Sequence, residues 1–435
     1  MDRRTVISGL GALTLAGVPG VAAAAPPGHR KVPKGFLWGS AISAHQSEGN
    51  NVNSDMWLNE TVPGTLFREP SGDACDSYHR YGEDMRIAAS LGFNCYRFGI
   101  EWARIEPRPG VFSLAELDHY KTMLETCHAL GLSPMVTFCH FTTPRWFAAR
   151  GGFEAPDAPD LFARFAGTAA GHFGSLLTAA TTFNEINAPR LITVLAPGSE
   201  KARPLIDRML AASARACGSD RFGSWIFADA VRIEPPTRIA HVKAYAAIKA
   251  AGPAKVGISL SMQEFQPATG GTAKVAALNR ALYDTWLEPS VPSDFIGVQT
   301  YTRVMIGPDG ALPVPTGAEQ TDSGYEYYPP ALGAMVRYAA QASGKPVFIT
   351  ESGIATGDDA RRIAFIDATL AEVRQCLADG IDLRGYLHWS LLDNYEWTRG
   401  YDHRFGLVAV DRKTFKRTPK ASAHHLGRIV KSGLI

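Results

Sequence analysis

Apolar runs of seven or eight residues recur along this chain and alternate with longer stretches of helical periodicity. The runs fall at 36–43, 95–102, 135–141, 180–186, 256–262, 295–301, 346–352 and 385–392. Their length and apolar character on both faces predict buried parallel strands. Amphipathic stretches near 77–91, 113–130, 160–173, 237–251, 274–288, 331–343, 359–379 and 418–432 predict the intervening helices. The second of these begins with a capping-box sequence, Ser113-x-x-Glu116, and is followed by Gly131, a helix stop. Eight strands alternating with eight helices predict a single (β/α)8 TIM barrel over 30–435. A doubly wound open sheet is the alternative, weakened by the regular spacing and the lack of G-x-G-x-x-G after the first strand. Three Pro/Gly-rich segments, 47–76, 189–236 and 302–330, predict long βα loops over one face of the barrel.

The first 25 residues stand apart. Arg3 and Arg4 precede a mild apolar stretch, 6–18, and Ala22–Ala25 offers an A-x-A cleavage site before Pro26 and Pro27. This resembles a twin-arginine signal peptide, and it predicts a periplasmic or secreted protein with no stable membrane association after cleavage.

Composition narrows the function by exclusion. A net charge of +2 over 435 residues, without a long basic run, gives no electrostatic support for nucleic-acid binding. The six cysteines, at 75, 95, 127, 139, 217 and 376, include no C-x-x-C pair, so zinc and redox motifs are absent; Cys95 and Cys139 fall in strand runs and read as buried thiols.

Chemistry concentrates at two strand ends. Glu185 closes the run TTFNEI and Glu351 closes PVFITES. In a parallel barrel, that end of a strand is where catalytic groups gather. Two carboxyls facing each other across a sugar are what glycosidic bond cleavage requires, one to protonate the leaving oxygen and one to meet the developing charge on the sugar carbon.

The motifs FLWGSAISAHQSEG (36–49), TFNEI (182–186), ITESG (349–353), WSLLDNYEW (389–397) and GYDHRFGLVAVD (400–411), in this order, make the chain resemble glycoside hydrolase family 1, the β-glucosidase and β-galactosidase family. The resemblance implies a retaining β-glycosidase that acts on terminal β-glycosyl residues of a small carbohydrate or glycoside without cofactor or metal. It implies Glu185 as acid/base, Glu351 as nucleophile, and Arg97 and Tyr301 as the groups that hold the nucleophile. It implies Gln46, His140, Asn184, Trp389, Glu396 and Trp397 as sugar-binding residues. Glu396 disfavours a 6-phosphorylated sugar, whose charge it would repel. The chain departs from the family pattern at Ile186 (usually proline), Ser352 and Gln299 (usually asparagine) and Phe141 (often tryptophan). Transfer of the sugar to another alcohol uses the same intermediate and stays open as an alternative. A barrel that binds sugar without cleaving it is disfavoured, because Glu185, Glu351, Arg97 and Tyr301 are all present.

Overall fold

The structure is a computed structural model and describes residues 30–195 and 199–435; the segment read as a signal peptide lies outside them. Eight parallel strands close into a barrel: β1 (Leu37–Ala41), β2 (Cys95–Gly99), β3 (Ser133–Cys139), β4 (Ala179–Phe183), β5 (Lys255–Ser261), β6 (Ile296–Gln299), β7 (Val347–Ser352) and β8 (Leu383–Trp389). Each pairs with its neighbours in sequence, and β8 returns to β1. Eight principal helices run between and after them: α1 (Ser77–Ser90), α2 (Leu114–Ala129), α3 (Ala158–Phe173), α4 (Ala230–Ala251), α5 (beginning Thr272–Asn279), α6 (Ala331–Ser343), α7 (Asp359–Ala378) and α8 (Ala421–Ser432). Among the described residues no helix is long and apolar enough to cross a membrane.

All eight predicted runs became barrel strands, but not with two apolar faces. Their outward side chains are the apolar ones: Phe98, Phe138, Ile258, Val298 and Ile349 lie in the main core against the helices. The interior is layered instead. At its lower end Cys95, Met135, Ala179, Phe295 and Leu387 form a separate apolar plug. One pleat above, the inward residues are polar. Thr137 and Thr181 hydroxyls bond at 3.0 Å, and Ser259 and Thr350 hydroxyls at 3.2 Å. The second bond spans the intervening strand β6, which carries Gly297 there; a Cβ on that residue would press on both hydroxyls. A barrel interior is a packed core, so these hydroxyls persist only because they satisfy one another.

Segment 189–236 is not an open loop. It holds helices Ala188–Leu195 and Ser199–Ala216 and a 3₁₀ turn Trp225–Phe227. Helix α4 then starts seven residues before the predicted 237, because Asp229 accepts the Val231 N–H at 2.9 Å as an N-cap. Pro235 and Pro236 sit inside α4 rather than before it. The carbonyls they leave without an intrahelical donor belong to Val231 and Arg232, both exposed residues. The capping box is half formed: Ser113 Oγ accepts the Glu116 N–H at 3.3 Å, but the Glu116 carboxylate accepts the Tyr78 hydroxyl at 3.0 Å. Gly131 has φ +72°, the left-handed turn expected past α2. All six cysteines are free, and Cys95 and Cys139 are buried.

Register aligns the upper rim. Arg97 of β2 pairs with Ala41 of β1, which pairs with Trp389 of β8, and Gln299 of β6 stands beside Glu351 of β7. Just beyond β7, Gly353 packs against β8 so closely that a Cβ would overlap the Trp389 carbonyl oxygen. Gly353→Ala is therefore expected to push the Glu351 strand end away from Trp389. Misplacement on the ångström scale costs about 10²-fold in rate. Steady-state kinetics should show that loss while circular dichroism shows a folded barrel; an active Gly353→Ala protein would mean that the β7–β8 contact does not position the site.

Candidate active site

The upper ends of the strands and their loops surround a cavity of about 570 Å³, within the usual range of small-molecule pockets. All but one of the ten residues singled out from sequence line it: Gln46, His140, Asn184, Glu185, Tyr301, Glu351, Trp389, Glu396 and Trp397. Arg97 lies fully buried beneath them.

Arg97 organises the floor. One terminal nitrogen, Nη1, donates to Glu351 Oε1 at 2.6 Å. The other, Nη2, donates to Asn184 Oδ1 at 2.6 Å. Tyr301, two residues past β6, donates its hydroxyl to Glu351 Oε2 at 2.7 Å. Both Glu351 oxygens thus face donors, and a proton on Oε1 would meet only the guanidinium, which cannot accept it. Burial pushes Glu351 above the ordinary carboxylate range, while the charge of Arg97 and the hydroxyl of Tyr301 pull it back. With a permanent cation and a hydroxyl in place, the anion is the form whose hydrogen bonds are all satisfied.

Glu185 lies past the end of β4 rather than inside the strand, and its φ of +43° turns it out of the strand direction. Its carboxyl is pushed up to about 8, first by burial and then by the negative charge of Glu351; Ser261 and Arg97 pull the other way. The two glutamates therefore differ in kind. The cation sits on Glu351, and Glu185, buried without a cation of its own, also feels the resulting anion. Such divergence is how one site keeps one carboxyl ionised and the other protonated.

Asn184 Oδ1 receives a second donor, Gln299 Nε2, at 2.8 Å. Gln299, one of the departures noted above, thus reaches the amide from β6. Two donors converging on one atom identify it as the oxygen, which leaves the Asn184 amide N–H groups free to donate into the cavity.

The opposite wall carries Gln46 and Glu396. Ser43 donates to Gln46 Oε1 at 2.7 Å, and Gln46 Nε2 donates to the Tyr395 carbonyl at 2.6 Å and to Glu396 Oε2 at 3.3 Å. Glu396 is also pushed up to about 8, by burial and by Glu351. Trp389, His140, Trp397 and His45 form a run of nearly parallel rings. Their centroids are 5.7 Å apart for Trp389–His140, 6.3 Å for His140–Trp397 and 5.7 Å for Trp397–His45. Burial holds the His140 imidazole well below its usual value, hence neutral, and its Nδ1 has no protein partner. A neutral imidazole and an amide-backed carboxyl suit hydroxyl groups, which both give and take hydrogen bonds. Among the described residues no cluster of His, Cys, Asp and Glu could hold a metal ion.

Some contributors were not identified from sequence. Ser261, at the end of β5, reaches the cavity beside Glu185, and Tyr325 reaches it from the 302–330 loop. His45, behind Trp397, bonds Glu60 at 2.7 Å, which in turn accepts the Ser71 N–H at 2.8 Å. Only His45 lay within a recognisable motif, and nothing in that motif marked it as the support of an aromatic ring 352 positions later.

Comparison with known proteins agrees with this geometry. The profile of glycosyl hydrolase family 1 matches residues 28–293 and 314–433. The thermostable β-glucosidase B of Thermobispora bispora is 30% identical over 94% of this chain and 93% of its own length. The apo structure of a β-glucosidase designated 1317 superposes with a TM-score of 0.89 at 46% identity, covering 92% of this chain and 99% of its own. A β-glucosidase from Thermotoga maritima in complex with glucoimidazole superposes with a TM-score of 0.81 at 26% identity, covering 93% and 99%. With the profile spanning most of the sequence and these enzymes matched over nearly their whole length, the chain belongs to glycosyl hydrolase family 1 and is a glycoside hydrolase.

Proposed function

We propose that the protein is a retaining β-glycosidase acting on terminal, non-reducing β-glucosyl or β-galactosyl residues by double displacement. The observation that carries this reading is the asymmetry of the two glutamates: Glu351 bound by Arg97 and Tyr301, Glu185 raised to about 8 beside it. Glu185 protonates the glycosidic oxygen as Glu351 attacks the anomeric carbon. The Glu185 proton leaves on the alcohol, and because the glycosyl ester no longer carries the Glu351 charge, Glu185 stays a carboxylate. It then takes a proton from water, which displaces Glu351 and leaves the anomeric configuration retained. Asn184 is poised to donate to a sugar hydroxyl through an amide that Arg97 and Gln299 hold in one orientation. That contact favours the transition state if it tightens as charge develops. Gln46, His140, Glu396, Trp389 and Trp397 supply hydroxyl contacts and aromatic surface for the sugar ring. The export destination read from Arg3 and Arg4 is part of the proposal and rests on sequence. Replacing both by Lys should hold the enzyme in the cytoplasm, as fractionation of producing cells would show; unchanged export would refute the signal.

Azide separates the two roles. Glu351→Ala should abolish turnover of every glycoside, and added azide should then give the α-glycosyl azide, because it attacks the face that Glu351 vacates. Glu185→Ala should lose about 10²–10⁴-fold on substrates with poor leaving groups, keep formation of the glycosyl-enzyme from dinitrophenyl glycosides, and give the β-azide. The same anomer from both variants would contradict the assignment.

The pH profile tests the electrostatics. Glu185 must be protonated in the first step, so kcat/KM for an alkyl glycoside should fall as pH rises through about 8. With a dinitrophenyl leaving group no proton is needed, and that limb should vanish. A limb that persists belongs instead to Glu396, which titrates in the same range. The acid limb reflects protonation of Glu351, and Tyr301→Phe should move it to higher pH, since the variant removes a donor to the carboxylate.

A further inference from the structure

The cavity wall beside Glu185 has a different chemistry from the rest. Helix Ala188–Leu195 starts three residues after Glu185. Its residues Ala188, Leu191, Ile192 and Leu195, spaced i, i+3, i+4 and i+7, all line the cavity, which is one face of a helix. Ile226 and Phe227, from the 3₁₀ turn Trp225–Phe227, continue that wall, and Phe67 backs Phe227 edge-on at 6.0 Å and 84°. None of these side chains carries a hydrogen-bonding group. Ile192 is 43% exposed, an aliphatic side chain left open at the rim of a catalytic cavity. The polar residues Gln46, His140, Asn184 and Glu396 come from other segments, after β1, β3, β4 and β8.

We propose that this wall is the binding surface for the leaving group, and that the enzyme takes β-glycosides of apolar aglycones, alkyl or aryl, in preference to oligosaccharides. The inference rests on the assignment of Glu185 as proton donor. The atom that Glu185 protonates is the one joining sugar to leaving group, so the leaving group lies beside Glu185 and along the helix that follows it. A second sugar there would set the hydroxyls of one face against Leu191, Ile192, Leu195 and Ile226 and lose hydrogen bonds to water that this wall does not replace, leaving partners only on the other sides of the cavity, such as Gln263, Tyr325 and Arg399. An alkyl or aryl group would bury apolar surface on both sides.

The test uses alkyl 1-thio-β-glycosides from methyl to hexyl, which bind without being cleaved, measured by calorimetry on the whole enzyme. Affinity is expected to rise about twofold to fourfold per methylene until the wall is covered. Ile192→Ser, a substitution at an exposed position, should lower the hexyl-to-methyl affinity ratio about fivefold or more. In turnover, hexyl β-glucoside should exceed cellobiose in kcat/KM. A flat affinity series, or cellobiose as the better substrate, overturns the inference even if the protein is an active glycosidase. A rising series that Ile192→Ser flattens, in an enzyme that cleaves no alkyl or aryl glycoside, upholds the wall and removes the catalytic reading instead.

Discussion

The fully buried guanidinium of Arg97 divides its two terminal nitrogens between Glu351 and Asn184, each at 2.6 Å. A charge taken out of water costs several kcal/mol unless it is paired and hydrogen-bonded. Here the pairing group is a carboxylate on the far side of the barrel in sequence, 254 positions away. The fork therefore ties β2 to β7 and to the end of β4, and its planar geometry fixes the two acceptors relative to each other. Lysine, a point charge on a flexible stem, could neutralise Glu351 but could not hold Asn184 at the same time.

The electrostatics of the cavity follow from that placement. Three carboxyls share a space with little water, and only one has a cation. Glu351 ionises first for that reason; burial, and after it the Glu351 charge, raises both Glu185 and Glu396 to about 8. Glu185 is thus raised first by its burial and then by the anion that Arg97 holds, although the charge of Arg97 itself pulls it down. Any step that neutralises Glu351 removes the second of the two causes that raise Glu185 and leaves its burial.

Much of this was legible in sequence, for physical reasons that can be named. Buried strands must be apolar outward, so the eight runs stood out, and glutamates at two strand ends were conspicuous because charge is costly there. The inward residues were harder. Thr137, Thr181, Ser259 and Thr350 look like ordinary strand residues, and only barrel closure brings their hydroxyls into pairs. Pro235 and Pro236 fell in the segment assigned to a loop because local propensity disfavours proline inside a helix, whatever the exposure of the residues one turn before it. Segment 189–236 read as a loop because its Pro and Gly content masked the i, i+3, i+4, i+7 stripe that starts at Ala188. The half-formed capping box failed for a tertiary reason: Tyr78, on α1, competes for Glu116.

Backbone conformation shows where the fold gives up local stability. Phe141, Glu185 and Trp397 line the cavity, and all three have positive φ, at +73°, +43° and +48°. For residues with side chains such conformations cost on the order of 1–3 kcal/mol each and persist only when surroundings over-determine them. Each has such surroundings. Phe141 lies against Trp225 at 5.6 Å. Trp397 is stacked on His45, whose ring the Glu60 carboxylate holds at 2.7 Å. Glu185 is pinned on both sides by its own backbone, for the N–H of Ile186 donates to the Ser259 carbonyl at 3.1 Å and the Glu185 carbonyl accepts the Ala188 N–H at 2.7 Å. That last bond belongs to the first turn of the helix that forms the apolar wall. The direction of the Glu185 side chain and the position of the wall are thus set by one turn of chain, so a change in either moves the other.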